Sequence, residues 1–147
     1  MIPDELLATL EDANASGVFH LPADCREAVG RAAAEAGFAC FEVSLADCSH
    51  LDEVLARLGS GLDFPGWYGH NLDALKDCLT DFSWAAAAGY VVIIDHGEGF
   101  RAQEPAAFAV LADVFAEAIG EWRAQGYPMW ILLDLQAPGL ATFAATQ

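Results

Sequence analysis

Residues 64–82 read FPGWYGHNLDALKDCLTDF, a loop of Pro, Gly and aromatic residues that runs directly into a short helical pattern. Leu72, Leu75, Leu79 and Phe82 recur at helical spacing and share one side. Asp73, Lys76, Asp77 and Thr80 fall roughly opposite, with Asp73, Asp77 and Thr80 in a narrow stripe. Two carboxylates one turn apart, next to a rigid aromatic loop, suit a positively charged ligand.

The flanking sequence supplies the scaffold. GYVVIID at 89–95 is a continuous β-branched run, the composition of a strand covered on both faces as in a parallel sheet. FACFEVSL at 38–45, MWILLDL at 129–135 and the shorter GVFHL at 17–21 also read as strands. Between them lie helical patterns. An Ala-rich one covers 24–37, with Asp24 placed to cap its start and Gly37 its end. Another opens at Ser49, with Leu51, Val54, Leu55 and Leu58 on one face and Asp52 or Glu53 completing a capping arrangement. A third begins at Pro105 after a Gly-containing loop, carries Phe108, Leu111, Phe115, Ile119 and Trp122 at helical spacing, and stops at Gly126. Residues 1–16 are helix-compatible but weakly patterned, and QAPGLATFAATQ at the end reads as loose or lightly packed. Strands alternating with helices predict an α/β fold, a small three- to four-stranded, mainly parallel sheet packed with helices and joined by right-handed crossovers.

Composition narrows the function. Six basic against twenty-two acidic residues give a formal charge of −16 on 147 residues. Nucleic acid and anionic membrane both demand a Lys/Arg surface, so neither is an expected partner. Such acidity attracts basic proteins and steers their encounter, and it also serves solubility alone. The 55% apolar content separates this chain from a disordered acidic tail. No apolar run nears the roughly 20 residues that span a bilayer. The first residues carry acids where a secretory signal needs basic ones, so a cytoplasmic location is expected. Cys25, Cys40, Cys48 and Cys78 lack metal-finger spacing and read as free thiols, Cys78 as a packed one. No metal site and no cofactor are expected.

Asp73 and Asp77 are the first chemical candidates. As an acid/base pair, or as a metal site with His70, they would need company the chain lacks. There is no phosphate loop, no HExxH and no Gly-x-Ser-x-Gly, so no catalytic residue is assigned. Asp113, Glu117 and Glu121 form a second acidic stripe on the 105–125 pattern, either a wet surface or a rim that meets a basic partner. Trp67 and Tyr68, bracketed by Pro65 and Gly69, have the setting of interface anchors, with one of the two expected to fold back over the core.

These residues resemble the signature of the barstar family: a Pro, two aromatics, Gly, any residue, Asn-Leu-Asp-Ala-Leu, then Asp-Cys-Leu-Thr. The likeness is strong over 64–82 and extends weakly across 38–135 through the order of elements. It implies a barstar-like domain at 37–136, an N-terminal extension at 1–36 (an added strand and helix on the same sheet) and a tail at 137–147. It further implies an intracellular, non-enzymatic inhibitor of a basic ribonuclease or nuclease toxin, whose active site is plugged by the acidic helix and the aromatic loop.

Carried over by position, the resemblance assigns partner contacts to Trp67, Gly69, Asn71, Asp73, Asp77, Thr80 and Phe82, with Asp77 the deeper anchor. Tyr68 and Lys76 lie among them. The later-helix acid maps to Glu117 or Glu121, with Glu117 favoured. Lys76 stands where the family commonly has an aromatic, and His70 where an acid often precedes the Asn. A lysine between two anchoring aspartates lowers the local negative potential and leaves the partner's identity open. The alternative is an acidic adaptor that binds another basic protein without inhibiting a nuclease.

Overall fold

The computed structural model describes residues 3–143. At its centre the apolar runs become four parallel strands, β1 (Val18–His20), β2 (Ala39–Ser44), β3 (Tyr90–Asp95) and β4 (Met129–Leu133), in the order β1-β4-β3-β2. The helices are α1 (Pro3–Glu11), α2 (Arg26–Glu35), α3 (Leu51–Gly61), α4 (Leu72–Leu79), α5 (Glu98–Gln103) and α6 (Pro105–Ala124). The fold is thus the α/β class expected, with a sheet that is parallel throughout.

Side-chain alternation along the central strands divides the core in two. Val92, Ile94, Ile131 and Leu133 join Leu55, Leu58, Leu75, Leu79, Phe115 and Ile119 on the face covered by α3, α4 and α6. Val91, Ile93, Trp130 and Leu132 point the other way, into a second cluster with Leu6 and Leu10 of α1 and Val29 and Ala33 of α2. A strand buried on both faces needs no polar alternate residues, which is why β3 and β4 are apolar at nearly every position.

Polar bonds tie this second layer to the sheet. The Trp130 indole Nε1 donates to Leu10 O at 2.9 Å. Arg26 of α2 grips the Asp95 carboxylate with both terminal nitrogens and reaches Glu42 Oε1 at 2.9 Å. Arg123 of α6 donates to Ala13 O and Ser16 O at 3.2 and 2.7 Å, bridging to the turn that follows α1.

Four local expectations change. Asp24 does not cap α2, since it sits inside a short 3-10 turn, Ala23–Cys25, ahead of the helix. His50, not Ser49, occupies the N-cap of α3, and Glu53 accepts from the backbone N–H of Ser49 and His50 at 2.8 and 3.1 Å. Those two donors hold the Glu53 carboxyl below its ordinary pKa. The Gly-containing loop after β3 holds a turn and a half of helix, α5, because Phe100 is fully buried and draws the segment inward.

The C-terminal segment is not loose through residue 143. Thr142 bridges to His20, and Phe143 is buried edge-on against Trp130 and near Phe19. The remainder of the expected tail, 144–147, lies outside the described residues. Among the described residues no helix is long and apolar enough to cross a membrane.

Candidate functional site

α4 is short, so most of its stability must come from what surrounds it. Leu75, Cys78 and Leu79 are fully buried against α6 and the sheet. Burial raises the Cys78 thiol pKa to about 11, with Asp81 and Asp77 adding to the shift, so it stays protonated as a packing group. Both helix ends are satisfied. Asn71 Oδ1 accepts from Ala74 N at 2.8 Å at the start. At the end the Trp122 indole donates to Leu79 O at 2.7 Å, and Thr80 Oγ1 donates to Lys76 O at 2.8 Å. The exposed side of α4 therefore sits on a fixed platform.

The preceding loop is held from beneath. Tyr68 is buried, its hydroxyl donates to Leu55 O at 3.0 Å, and its ring packs edge-on against Phe64 at 4.9 Å. Gly59 makes room for that ring, since a Cβ there would lie 2.8 Å from it. Burial drives the Tyr68 phenol to about 12. The chain then passes through His70 in the left-handed region, φ 54°, and turns into the cap at Asn71.

Trp67 takes the opposite course. It is 58% exposed, the most exposed large apolar side chain described, and only its edge approaches Trp84, 6.4 Å away. Of the two loop aromatics, then, Tyr68 folds inward and Trp67 stands out.

Phe82, which the resemblance assigns to the partner contacts at the end of the helix, is not at the surface. Its backbone is left-handed, φ 49°, and its ring is wholly buried between Tyr90 at 4.7 Å and Phe41 at 5.6 Å. The side chains of Phe82 and Tyr68 both serve the aromatic floor under the loop. Phe82 offers no side-chain surface to a partner, and Tyr68 stays only 7% exposed, lining a shallow cleft with Pro65 and His70. Thr80 is half-buried with its proton committed to the helix, which leaves its oxygen lone pairs. Gly69 and Asn71 are exposed at the loop–helix junction.

Charge on this surface is partitioned. Asp73 and Asp77 are exposed and, among the described residues, neither carboxylate has an ion-pair or hydrogen-bond partner. Lys76 turns away from them to α6, where its Nζ lies 3.1 Å from Glu121 Oε2 and 3.3 Å from Glu117 Oε1. Glu121 and then Glu117 raise the Lys76 pKa, so it stays cationic through the neutral range. The two candidate later-helix acids are thus equivalent in one respect, since both are engaged by the same lysine. Asp113, one turn before Glu117, is exposed and makes no such bond.

Sequence reasoning missed three supports: Trp122 as the clasp on the end of α4, Phe64 and Trp84 as the floor of the loop, and Asn71 as a cap. The last was legible, because Asn ahead of Leu-Asp-Ala has the form of an N-cap. Replacing Asn71 by Ala removes the bond to Ala74 N and is expected to cost about 1 kcal/mol. Thermal denaturation checks it: Asn71→Ala should melt lower, while Asn71→Asp or Asn71→Ser stays near the parent.

Among the described residues, no group of three or more His, Cys, Asp or Glu is arranged to hold a metal ion. What the arrangement offers is two unpaired carboxylates, one exposed indole and the edge of a helix, all on rigid supports. Residues 38–134, two thirds of the chain, match the family described as Barstar (barnase inhibitor). No curated protein gives a significant match to the chain.

Proposed function

The chain belongs to the barstar family, a family of ribonuclease inhibitors and not of enzymes, and on that premise we propose that α4 and the loop before it plug a ribonuclease active site. Asp73 and Asp77 carry the reading, because they are the unpaired carboxylates of the signature helix. In the complex they would occupy the positions of RNA phosphates and take charge-assisted bonds from Arg, Lys or His of the enzyme. Trp67 would stack at the mouth of that cleft, with Gly69, Asn71 and Thr80 at the rim.

The chain's charge of −16 supports a basic partner, such as a small basic ribonuclease or a nuclease toxin, through long-range steering. Fixed supports under the helix lower the ordering cost of binding. Such an inhibitor would act as an antitoxin or immunity protein in the cytoplasm, where it protects cellular RNA.

A titration of ribonuclease activity tests the proposal. Purified chain added to a basic ribonuclease encoded beside it should abolish RNA cleavage at one-to-one stoichiometry. Tight complex formation with cleavage unchanged would instead favour an acidic adaptor that binds elsewhere on its partner.

A further inference from the structure

Lys76 had a nearer choice of partner than the one it takes. Asp73 lies three residues before it on the same helix, a spacing at which opposite charges meet. The lysine instead reaches to α6 and bridges Glu117 and Glu121 together. Those two acids are four apart on one helix and repel each other, so a single cation between them relieves that repulsion. Four acids cluster on this face, and the bridge engages two while leaving the two on α4 unpaired.

We propose that Lys76 is a specificity-determining residue: by sharing its charge between Glu117 and Glu121 it lowers the negative charge offered by α6 and leaves Asp73 and Asp77 as the unpaired carboxylates of this face. The inference rests on the binding face proposed above and goes beyond it by stating which basic partners the face admits. A partner with cations grouped opposite the exposed side of α4 meets two free carboxylates. A partner with a broad basic surface spanning α4 and α6 meets the lysine's own charge, and it competes with Lys76 for Glu117 and Glu121. The first is accepted and the second is discouraged, which is how an unfavourable charge confers selectivity.

The test uses two basic probes that do not require the native partner, a di-arginine peptide matched to the two α4 carboxylates and a hexa-arginine peptide long enough to span α4 and α6. Both are titrated with the parent, Lys76→Met, and Lys76→Met/Glu117→Gln/Glu121→Gln, at low and at high salt. Methionine keeps the stem packed on the helix while removing the charge. Lys76→Met is expected to bind the hexa-arginine peptide roughly 5- to 10-fold more tightly than the parent, with a steeper salt dependence, and the di-arginine peptide within about 2-fold of it. Equal gains for both would overturn the inference. The triple variant should return to within about 2-fold of the parent.

If the lysine merely pins α4 to α6, Lys76→Met binds equally or more weakly. That result overturns the inference, as does a gain that survives in the triple variant. The underlying reading fails separately. Loss of ribonuclease binding in Asp77→Ala, with no gain in Lys76→Met, removes this inference alone. Ribonuclease binding unaffected in Asp77→Ala removes the α4 plug and this inference with it, whatever Lys76→Met does.

Discussion

Asp77→Ala is expected to weaken binding to the ribonuclease by about 2–5 kcal/mol, the usual cost of truncating one member of a buried, hydrogen-bonded charge pair. An anchoring aspartate of the barstar–barnase pair itself exceeds that range, at about 7.7 kcal/mol. In affinity the expected loss is roughly a 30- to 4,000-fold rise in Kd, most of it through faster dissociation. The size follows from asymmetry. The enzyme's cation stays desolvated in the interface after its partner is removed, so truncation leaves a buried unpaired charge.

The same substitution should leave the free protein's stability within about 0.5 kcal/mol of the parent, because the Asp77 side chain is exposed and unpaired. Glu35→Ala is the control. Glu35 is an exposed acid on α2, against the other face of the sheet, so it should alter only the association rate, and only at low salt. Surface plasmon resonance or stopped-flow binding on the three proteins reads all of this. Equal dissociation rates for Asp77→Ala and parent would remove Asp77 from the interface.

Trp130→Ala should produce the largest loss of stability. Trp130 is 1% exposed, packs on Phe19 and Phe143, and donates to Leu10 O, so it joins β4 to α1 and to the C-terminal segment at once. Truncating a buried tryptophan costs about 3–5 kcal/mol in transfer and cavity terms. In a domain of this size that lowers the melting temperature by roughly 6–20 °C. Differential scanning calorimetry measures it, and a shift of a degree or two would mean the second layer contributes little. Trp130→Phe should retain much of the packing but lose the bond to Leu10, so it should fall between Trp130→Ala and the parent.

This residue also marks where sequence reasoning ran out. MWILLDL read correctly as a strand because its apolar run is continuous. A continuous run says that both faces are covered, not what covers each. Leu6 and Leu10 were the relevant signal in α1, but two leucines four apart in an acidic, weakly patterned segment do not by themselves fix a buried face. The tail suffered in the same way: one phenylalanine among alanines and glycine has no periodicity, and only the pocket between Trp130 and Phe19 gives it a place.

The candidate site was legible to a different depth at each residue. α4 could be read because its heptad-like leucines and its family signature agree. Trp67 and Tyr68 could not be told apart by position, since a loop has no period that assigns a side. What separates them is the space above Gly59 and the carbonyl of Leu55, both on α3. Helical spacing groups Phe82 with the leucines, but the residue lies past the end of α4 in a left-handed turn, and what buries its ring is stacking with Tyr90 and Phe41. The pairing of Lys76 with α6 joins two helices across the tertiary fold, and no local pattern encodes it. The misfit lysine of the sequence is, in the fold, the lysine that sorts the acids.

Amide hydrogen exchange on the chain, free and saturated with a ribonuclease it inhibits, tests the central claim most directly. If α4 and its loop form the plug, added protection should concentrate in residues 66–80, with α1 and α2 unchanged. Protection over α1 and α2, with residues 66–80 exchanging as in the free protein, would contradict it.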